Sequence, residues 1–455
     1  MICTSGADDS FAIDFSGVEV ESTTMQLLEQ EREELEAVLG RRVSFRRAVA
    51  NEPGWVVRHP EVAGAAPELR RVAKDRFVSI VGSEADLIAT ISALHTLVHR
   101  DTDVVVVDPV ESVDEAVALI REEIANTYPS FSIRGIDWEK ICDSYLRDVP
   151  SISDFSGFAA SWVAELGDAH TSIKTVDSGG YNPPYRGVLA SAGVHLSHVP
   201  MRSAAYDAGV REGWVVSVAD VAWWERTVGA TPQQLSQVQA RRALSFTDGV
   251  REFIATDPVG GARAQWREVA LPPSIESTVQ VSRDAGGGCV VQLRSFDARV
   301  DLHAVFDDLI DDARSTDRLT LDLRGNTGGS LLLATSLRDR FLRDETLIGS
   351  IAFSDGRGRL VPRRKRRAVP SERSCWPGSL EVLIDSMTYS ASEDFILGLQ
   401  GLEHVSVRGT VTGGGSGRPR RVSVLPGIDL TISTAVTYDR EGHPVEFHGI
   451  RPDSA

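Results

Sequence analysis

Two segments of the chain end an apolar, β-favouring run in residues suited to carbonyl chemistry. The first is Leu321-Asp322-Leu323-Arg324-Gly325-Asn326-Thr327-Gly328-Gly329. Paired glycines after a strand let backbone N–H groups face a cavity with no side chain in the way, as stabilising an oxyanion demands. A bare Gly-Gly is otherwise a tight turn. The second is Leu383-Ile384-Asp385-Ser386-Met387-Thr388-Tyr389-Ser390-Ala391-Ser392-Glu393. A serine where a strand passes into a helix exposes its hydroxyl at the helix N-terminus, where free N–H groups and the dipole favour developing negative charge. Ser390 is equally a plain cap, and Ser390 to Glu393 spells a capping box.

Other groups invite chemical readings. His95 and His99 are four apart without the Glu of an H-E-x-x-H pattern, so packing or surface roles are preferred. His443, Glu446 and His448 lack a further close carboxylate or thiol, and no metal site is assigned to them. Gly413 to Gly417 lacks the Lys-Ser/Thr of a phosphate loop; Gly409 to Gly417 reads as a flexible rim of the site. The basic run Arg363 to Arg367 reads first as a solvated loop between strands. A sharper expectation is that Arg364 and Arg366 attract an acidic substrate or a terminal carboxylate. No cofactor is implied.

The elements that must position these residues follow from composition and periodicity. The chain has 455 residues, 42% hydrophobic and 25% charged, and at roughly 150 residues per domain about three domains fit. No stretch approaches the roughly 20 apolar residues of a membrane helix, and Met1 to Phe15 has no basic segment followed by an apolar one. Cys3, Cys142, Cys289 and Cys375 have no C-x-x-C spacing, so reduced thiols and a cytoplasmic location are expected. A net charge of −17 argues against nonspecific binding to nucleic acid or anionic lipid.

Residues 1–107 read as a small α/β domain: a helix over Met25 to Leu39, a strand over Phe77 to Gly82, a helix from Glu84 to Leu97 and a strand over Asp103 to Asp108. Residues 108–178 read as a helical subdomain, with Val113, Ala116, Val117, Ile120 and Ile124 on one face and Trp138, Ile141 and Leu146 in the next segment. A helix over Phe158 to Leu166 stops at Gly167. Residues 179–278 hold short strands and the run Ser203 to Val218, a turn, short helix, glycine and apolar strand that resembles the core of a PDZ domain. Such modules bind peptide termini at a sheet edge. Residues 279–455 alternate strands (289–293, 319–323, 380–384) with helices (302–314, 331–343, 391–400), predicting an α/β block with a mostly parallel sheet.

The constellation resembles the C-terminal processing, or tail-specific, serine proteases and their tricorn-protease-like branch. The likeness covers about residues 112 to 455. Its pieces occur in family order: Leu166-Gly167-Asp168-Ala169-His170-Thr171, the PDZ-like insert, Asp322 to Gly329, Ser390-Ala391-Ser392-Glu393, Gly409 to Gly414, and Glu446 to Asp453. The resemblance implies a crotonase-like spiral of βα units and a nucleophile at Ser390. The processing branch activates its serine with a lysine, but the matching position is Gly415 and no lysine follows Lys365. The tricorn-like branch uses a histidine and a glutamate, matched by His170 and Glu446. Its serine before the histidine is replaced by Ala169. The implied oxyanion hole comprises backbone N–H groups of Gly328 or Gly329 and of Ala391.

The expected function is a serine endopeptidase acting on peptides or unfolded segments through an acyl-enzyme on Ser390. His170 would serve as base and Glu446 as its support, directly or through water or another hydroxyl. No nucleic-acid or membrane partner is expected, and a homo-oligomer is compatible with the sequence. Two alternatives stand beside this: a hydrolase or acyltransferase for a small ester, lactone or amide, and a non-catalytic peptide-binding scaffold on a degenerate protease fold.

Overall fold

The computed structural model describes residues 10–17, 42–47, 54–58, 68–73 and 76–81, the single residues Met25, Glu29, Arg32 and Glu36, and 110–453 apart from 148, 176–179, 248, 272–273, 298–299, 314–317 and 355. The N-terminal strands β1 (Ser10–Gly17), β2 (Arg42–Phe45), β3 (Gly54–Arg58), β4 (Glu68–Ala73) and β5 (Arg76–Ile80) form one sheet in the order β2-β1-β3-β5-β4, parallel except for β4. Of the elements expected here, the strand at 77–82 is β5, and Met25, Glu29, Arg32 and Glu36 are helical. The helix from Glu84 and the strand over Asp103 to Asp108 lie outside the described residues. Phe11, Ile13, Trp55 and Phe77 share one continuous core with Val291, Leu321 and Val382 of the C-terminal block, so this sheet packs as part of the same body.

The next unit is helical where the periodicity places helices. Helix α1 (Val113–Thr127) starts with a capping box between Ser112 and Glu115 and buries Ala116, Ile120 and Ile124. Helices α2 (Trp138–Tyr145) and α3 (Phe155–Ala164) meet through Trp138 and Trp162, whose rings stack 5.2 Å apart. Gly167 follows α3 with φ +59°, a left-handed stop that turns the chain toward His170. Strand β6 (Ser172–Thr175) then leaves the helical unit.

The insert is a five-stranded sheet of β7 (Arg186–Ala190), β8 (Gly193–His198), β9 (Val215–Val216), β10 (Val250–Thr256) and β11 (Arg263–Val269), in sequential order, with helices α4 (Val221–Thr227) and α5 (Leu235–Leu244). Its core centres on Val194, Leu196, Val216, Phe253 and Trp266.

The C-terminal block carries the site. Strands β12 (Val279–Arg283), β13 (Cys289–Leu293), β14 (Arg318–Asp322), β17 (Ser379–Ile384) and β18 (Val405–Gly409) form a sheet in that order, with only β12 antiparallel. Helices α6 (Leu302–Ala313), α7 (Leu331–Asp339) and α8 (Ala391–Leu399) intervene along the chain. Every residue of α8 is buried, the polar Ser392, Glu393 and Asp394 included. The register sets Asp322 beside Leu383 and Ile384 beside Gly409, so the turns after β14, β17 and β18 leave from one edge. That edge, at the carboxyl ends of parallel strands, is where α/β sheets hold ligands.

Two smaller sheets complete the block: β16-β15-β21, from β15 (Thr346–Phe353), β16 (Arg364–Ala368) and β21 (Ala435–Tyr438), and β19-β20-β6, from β19 (Arg420–Leu425) and β20 (Ile428–Ile432). Strands β19 and β20 give Val422, Val424, Leu430 and Ile432 to the core of the helical unit. Sequence distance hid that contact.

The basic run is therefore strand β16, not a loop. It pairs antiparallel with β15, and the Arg366 guanidinium is ion-paired with Asp394 of α8, both side chains being largely buried. As a substrate anchor Arg366 is already engaged; Arg364 stands two residues away on the same strand. Removing one partner of a buried pair strands the other's charge at a cost of about 3–5 kcal/mol. Arg366→Ala should accordingly lower the thermal unfolding midpoint clearly. In peptide assays it should show no selective rise in KM for acidic over neutral sequences.

Candidate active site

Ser390 stands at the start of α8 with φ +60° and ψ −125°. Positive φ is uncommon outside glycine and costs on the order of 1–3 kcal/mol. Only Asp220, Ser390, Arg418 and Phe447 show it among the described non-glycine residues, and the last three lie in or next to this site. The strain is held by hydrogen bonds. The Glu393 carboxylate accepts from the Ser390 N–H at 3.1 Å, from Gly414 N–H at 2.9 Å, from Gly415 N–H at 2.8 Å and from the Thr412 hydroxyl. The Ser390 N–H also donates to Gly415 O at 3.0 Å. Residues 412–417 are thus buried and tied down rather than a flexible rim.

The turn after β14 is latched to the same segment. The Asp385 carboxylate accepts from Gly325, Met387 and Thr388 N–H groups, and the Thr388 hydroxyl donates to Leu323 O at 2.9 Å. A Cβ on Gly328 would lie 2.8 Å from Ser390 Cβ and 2.9 Å from Ala391 N, so only glycine permits this approach. Gly328 N–H is itself spent on Asn326 Oδ1 at 2.9 Å, which corrects its expected role as a free donor. Gly329 bridges in parallel to Phe296, whose bonds go to Gly328 O and Ser330 N, leaving the Gly329 N–H directed away from Phe296. Neither Gly329 N–H nor Ala391 N–H has an acceptor among the described residues.

His170 arrives on the turn between α3 and β6, and its Nε2 lies 3.0 Å from Ser390 Oγ. The imidazole is half-buried and packs on the Tyr389 ring, with centroids 4.6 Å apart. Burial lowers its pKa below the ordinary 6.5; the Asp168 charge works in the opposite direction and Lys174 adds to the lowering. The neutral ring, the form able to take a proton, is therefore favoured. Nδ1 is buried without a partner, in keeping with Ala169, which offers no hydroxyl.

Asp168 is the carboxylate that the sequence reading overlooked. It accepts from His170 N–H at 2.9 Å, from the Thr171 hydroxyl at 2.9 Å and from the Ser433 hydroxyl at 2.7 Å. Burial works to raise its pKa, but Arg134, His170 and these donors outweigh it and hold the group below the usual aspartate value. Glu446 is placed differently from expectation. It accepts from Ser416 N–H at 3.1 Å, the Ser416 hydroxyl at 3.2 Å and Thr437 N–H at 2.8 Å, and no hydrogen bond joins it to His170. Burial raises it to about 8. Gly417, next to Ser416, lies near the imidazole: a Cβ there would stand 2.8 Å from Ser433 Cβ and 3.6 Å from His170 Nδ1. His443 pairs with Asp439, His448 is exposed, and no group of residues with metal-binding geometry occurs among the described residues.

The place where a lysine would stand is filled. A Cβ on Gly415 would lie 2.2 Å from the Tyr389 hydroxyl. The phenol thus takes the space a side chain at 415 needs.

Residues 288–455 match the model of peptidase family S41. Among solved structures the chain is similar to the photosystem II D1 C-terminal processing protease, at 17% identity and TM-score 0.50 over 76% of this chain and 94% of that one. It is also similar to mature CPAF, at 14% identity and TM-score 0.54 over 75% and 92%. These likenesses speak for the fold. A comparison with curated proteins finds no match.

Two outcomes follow. Gly415→Ala should lower stability by about 1–3 kcal/mol, the usual cost of overpacking, measured by thermal or urea unfolding. If the lowered pKa of His170 governs turnover, the acid limb of kcat/KM should fall below 6.5, because the ring must be neutral to act and burial keeps it neutral to lower pH. A limb at or above 7 would contradict that assignment.

Proposed function

We propose that the chain is a serine endopeptidase that cleaves peptides or unfolded protein segments through an acyl-enzyme on Ser390. The observation that carries this reading is the 3.0 Å approach of His170 Nε2 to Ser390 Oγ at the N-terminus of a buried helix, beside the unengaged N–H groups of Gly329 and Ala391. In this reading the serine hydroxyl passes its proton to Nε2 as Oγ attacks the carbonyl, and the imidazolium returns the proton to the leaving amine. The two N–H groups hold the oxyanion; one such donor is typically worth about 100- to 1,000-fold in turnover. The developing positive charge on the ring is offset mainly by Asp168, the ionised neighbour. Glu446 ties down Ser416, next to the Gly417 backbone that lies near Nδ1.

The finer architecture belongs to the same proposal: a crotonase-like βα catalytic unit and a PDZ-like insert that presents peptide to it, the whole acting in the cytoplasm. Docking of the insert beside the site supports this role. The Thr231 hydroxyl and the Gln233 amide donate to Gly413 O, and the Gln237 amide donates to Ser386.

A fluorophosphonate probe tests the reading. Labelling of the unmodified chain that disappears in Ser390→Ala, with hydrolysis of an unfolded protein lowered about 100-fold or more in His170→Ala, is the expected result. Absence of labelling would favour a peptide-binding scaffold. Labelling without cleavage of any member of a peptide library would favour a small ester or amide as substrate.

A further inference from the structure

We propose that Tyr389 is a positioning residue whose ring sets the plane in which the His170 imidazole meets Ser390. This rests on the reading of His170 and Ser390 as base and nucleophile. The terminal torsion of a histidine is broad, so a restraint from outside the residue must narrow it. In a Ser-His-Asp triad that restraint is a carboxylate on Nδ1. Here Nδ1 has no hydrogen-bond partner among the described residues, Asp168 bonds the backbone N–H of His170 rather than its ring, and Glu446 bonds Ser416 and Thr437. What lies on the imidazole instead is the Tyr389 ring, with centroids 4.6 Å apart and planes tilted by 33°. That separation is typical of an offset aromatic pair.

A ring restrains its neighbour only if it is itself fixed, and Tyr389 is fixed at both ends. Its backbone N–H donates to Asn326 O at 3.0 Å, in the turn after β14. The side chain is 5% exposed. A Cβ on Gly413 would lie 2.6 Å from Tyr389 Cδ2, and one on Gly415 would overlap the phenol oxygen, so the 413–415 backbone closes on the ring. The phenol donates to Asp168 Oδ1 at 3.4 Å, and the same oxygen accepts the His170 N–H at 2.9 Å. Burial, with Asp168 and Glu393 nearby, pushes the phenol well above its ordinary pKa of 10, so it stays a neutral donor. Tyr389 also directly precedes Ser390. The ring that restrains the base and the hydroxyl that the base must meet therefore leave from adjacent Cα atoms, in the strained turn where Ser390 has φ +60°. Their relative placement depends on one short stretch of backbone, not on the distant segment that brings in His170.

The test compares Tyr389→Phe, which keeps the ring and removes the phenol, with Tyr389→Leu and Tyr389→Met, which remove the ring. Two ringless variants are used so that one remains if the other does not fold, and each is assayed well below its own thermal unfolding midpoint. In the full chain, labelling by a fluorophosphonate is followed against probe concentration, which separates the maximal rate from the half-saturating concentration. Tyr389→Phe should keep the maximal rate within about threefold, because an O–H donor at 3.4 Å is near the limit of a hydrogen bond. The ringless variants should lower it about 10- to 100-fold, as a misplacement of about 1 Å at the reacting groups does, and leave the half-saturating concentration unchanged. A fall in Tyr389→Phe as large as in Tyr389→Leu, or no fall in the ringless variants, overturns the proposal. Crystal structures supply a reading that needs no reaction. With Ser390 intact, the imidazole should keep its orientation in Tyr389→Phe. In Tyr389→Leu or Tyr389→Met it should be turned, or spread over more than one orientation, with Nε2 out of hydrogen-bond reach of Oγ. A singly ordered, unmoved imidazole in a ringless variant overturns the proposal, whether or not the chain reacts with the probe. If the unmodified chain is not labelled at all, it is the serine-hydrolase reading that fails, and the crystallographic comparison still decides the role of Tyr389.

Discussion

The chemistry of this molecule depends on one contact, the meeting of an imidazole nitrogen and a serine hydroxyl from positions 220 residues apart. Neither group is held by its partner. The serine is fixed by a strained turn whose N–H is bound to Glu393 and Gly415, and the imidazole by a backbone N–H bound to Asp168. The contact therefore tests whether two separately built supports arrive in register. Strand β6 makes them do so: pairing with β20 carries the His170 turn to Ser433, which is bonded to both Thr171 and Asp168.

Buried acids are the material from which these supports are made. Glu393 and Glu446 lie at the crossing of several loops and take backbone N–H groups that have no sheet or helix partner, in keeping with the rule that buried polar groups are satisfied. Their burial raises their pKa values to about 7 and about 8, whereas Asp168, close to Arg134, stays low. Three carboxyls at similar depth thus differ in pKa because their neighbours differ, and Asp168, the one held low, is the one whose charge acts on the imidazole.

Space is allotted just as tightly. Gly328 brings its backbone against Ser390 and Ala391, and Gly415 leaves room for Tyr389, which in turn packs on His170. The insert is pinned to the same loop through Gly413.

Much of this was legible in the chain. The 3.6-residue period of Ala116, Ile120 and Ile124, the strand runs at 289–293 and 380–384, the stop at Gly167 and the serine opening α8 are local signals, and local sterics and burial enforce them. Ser390 was legible as a serine at a strand-to-helix turn, whereas its role and that of His170 came from the resemblance carried by six segments in order. Tertiary structure decided the rest. Asp168 was passed over because a carboxylate beside a histidine has no special meaning until Thr171 and Ser433 converge on it. Arg363 to Arg367 looked like a solvated loop because nothing in its composition shows Asp394 waiting beneath Arg366. Glu446 was assigned to the imidazole, but it binds Ser416 and Thr437. A sequence determines what each residue can donate, accept or bury over a few neighbours; which partner takes up that capacity is settled only when distant segments compete for it in the packed interior.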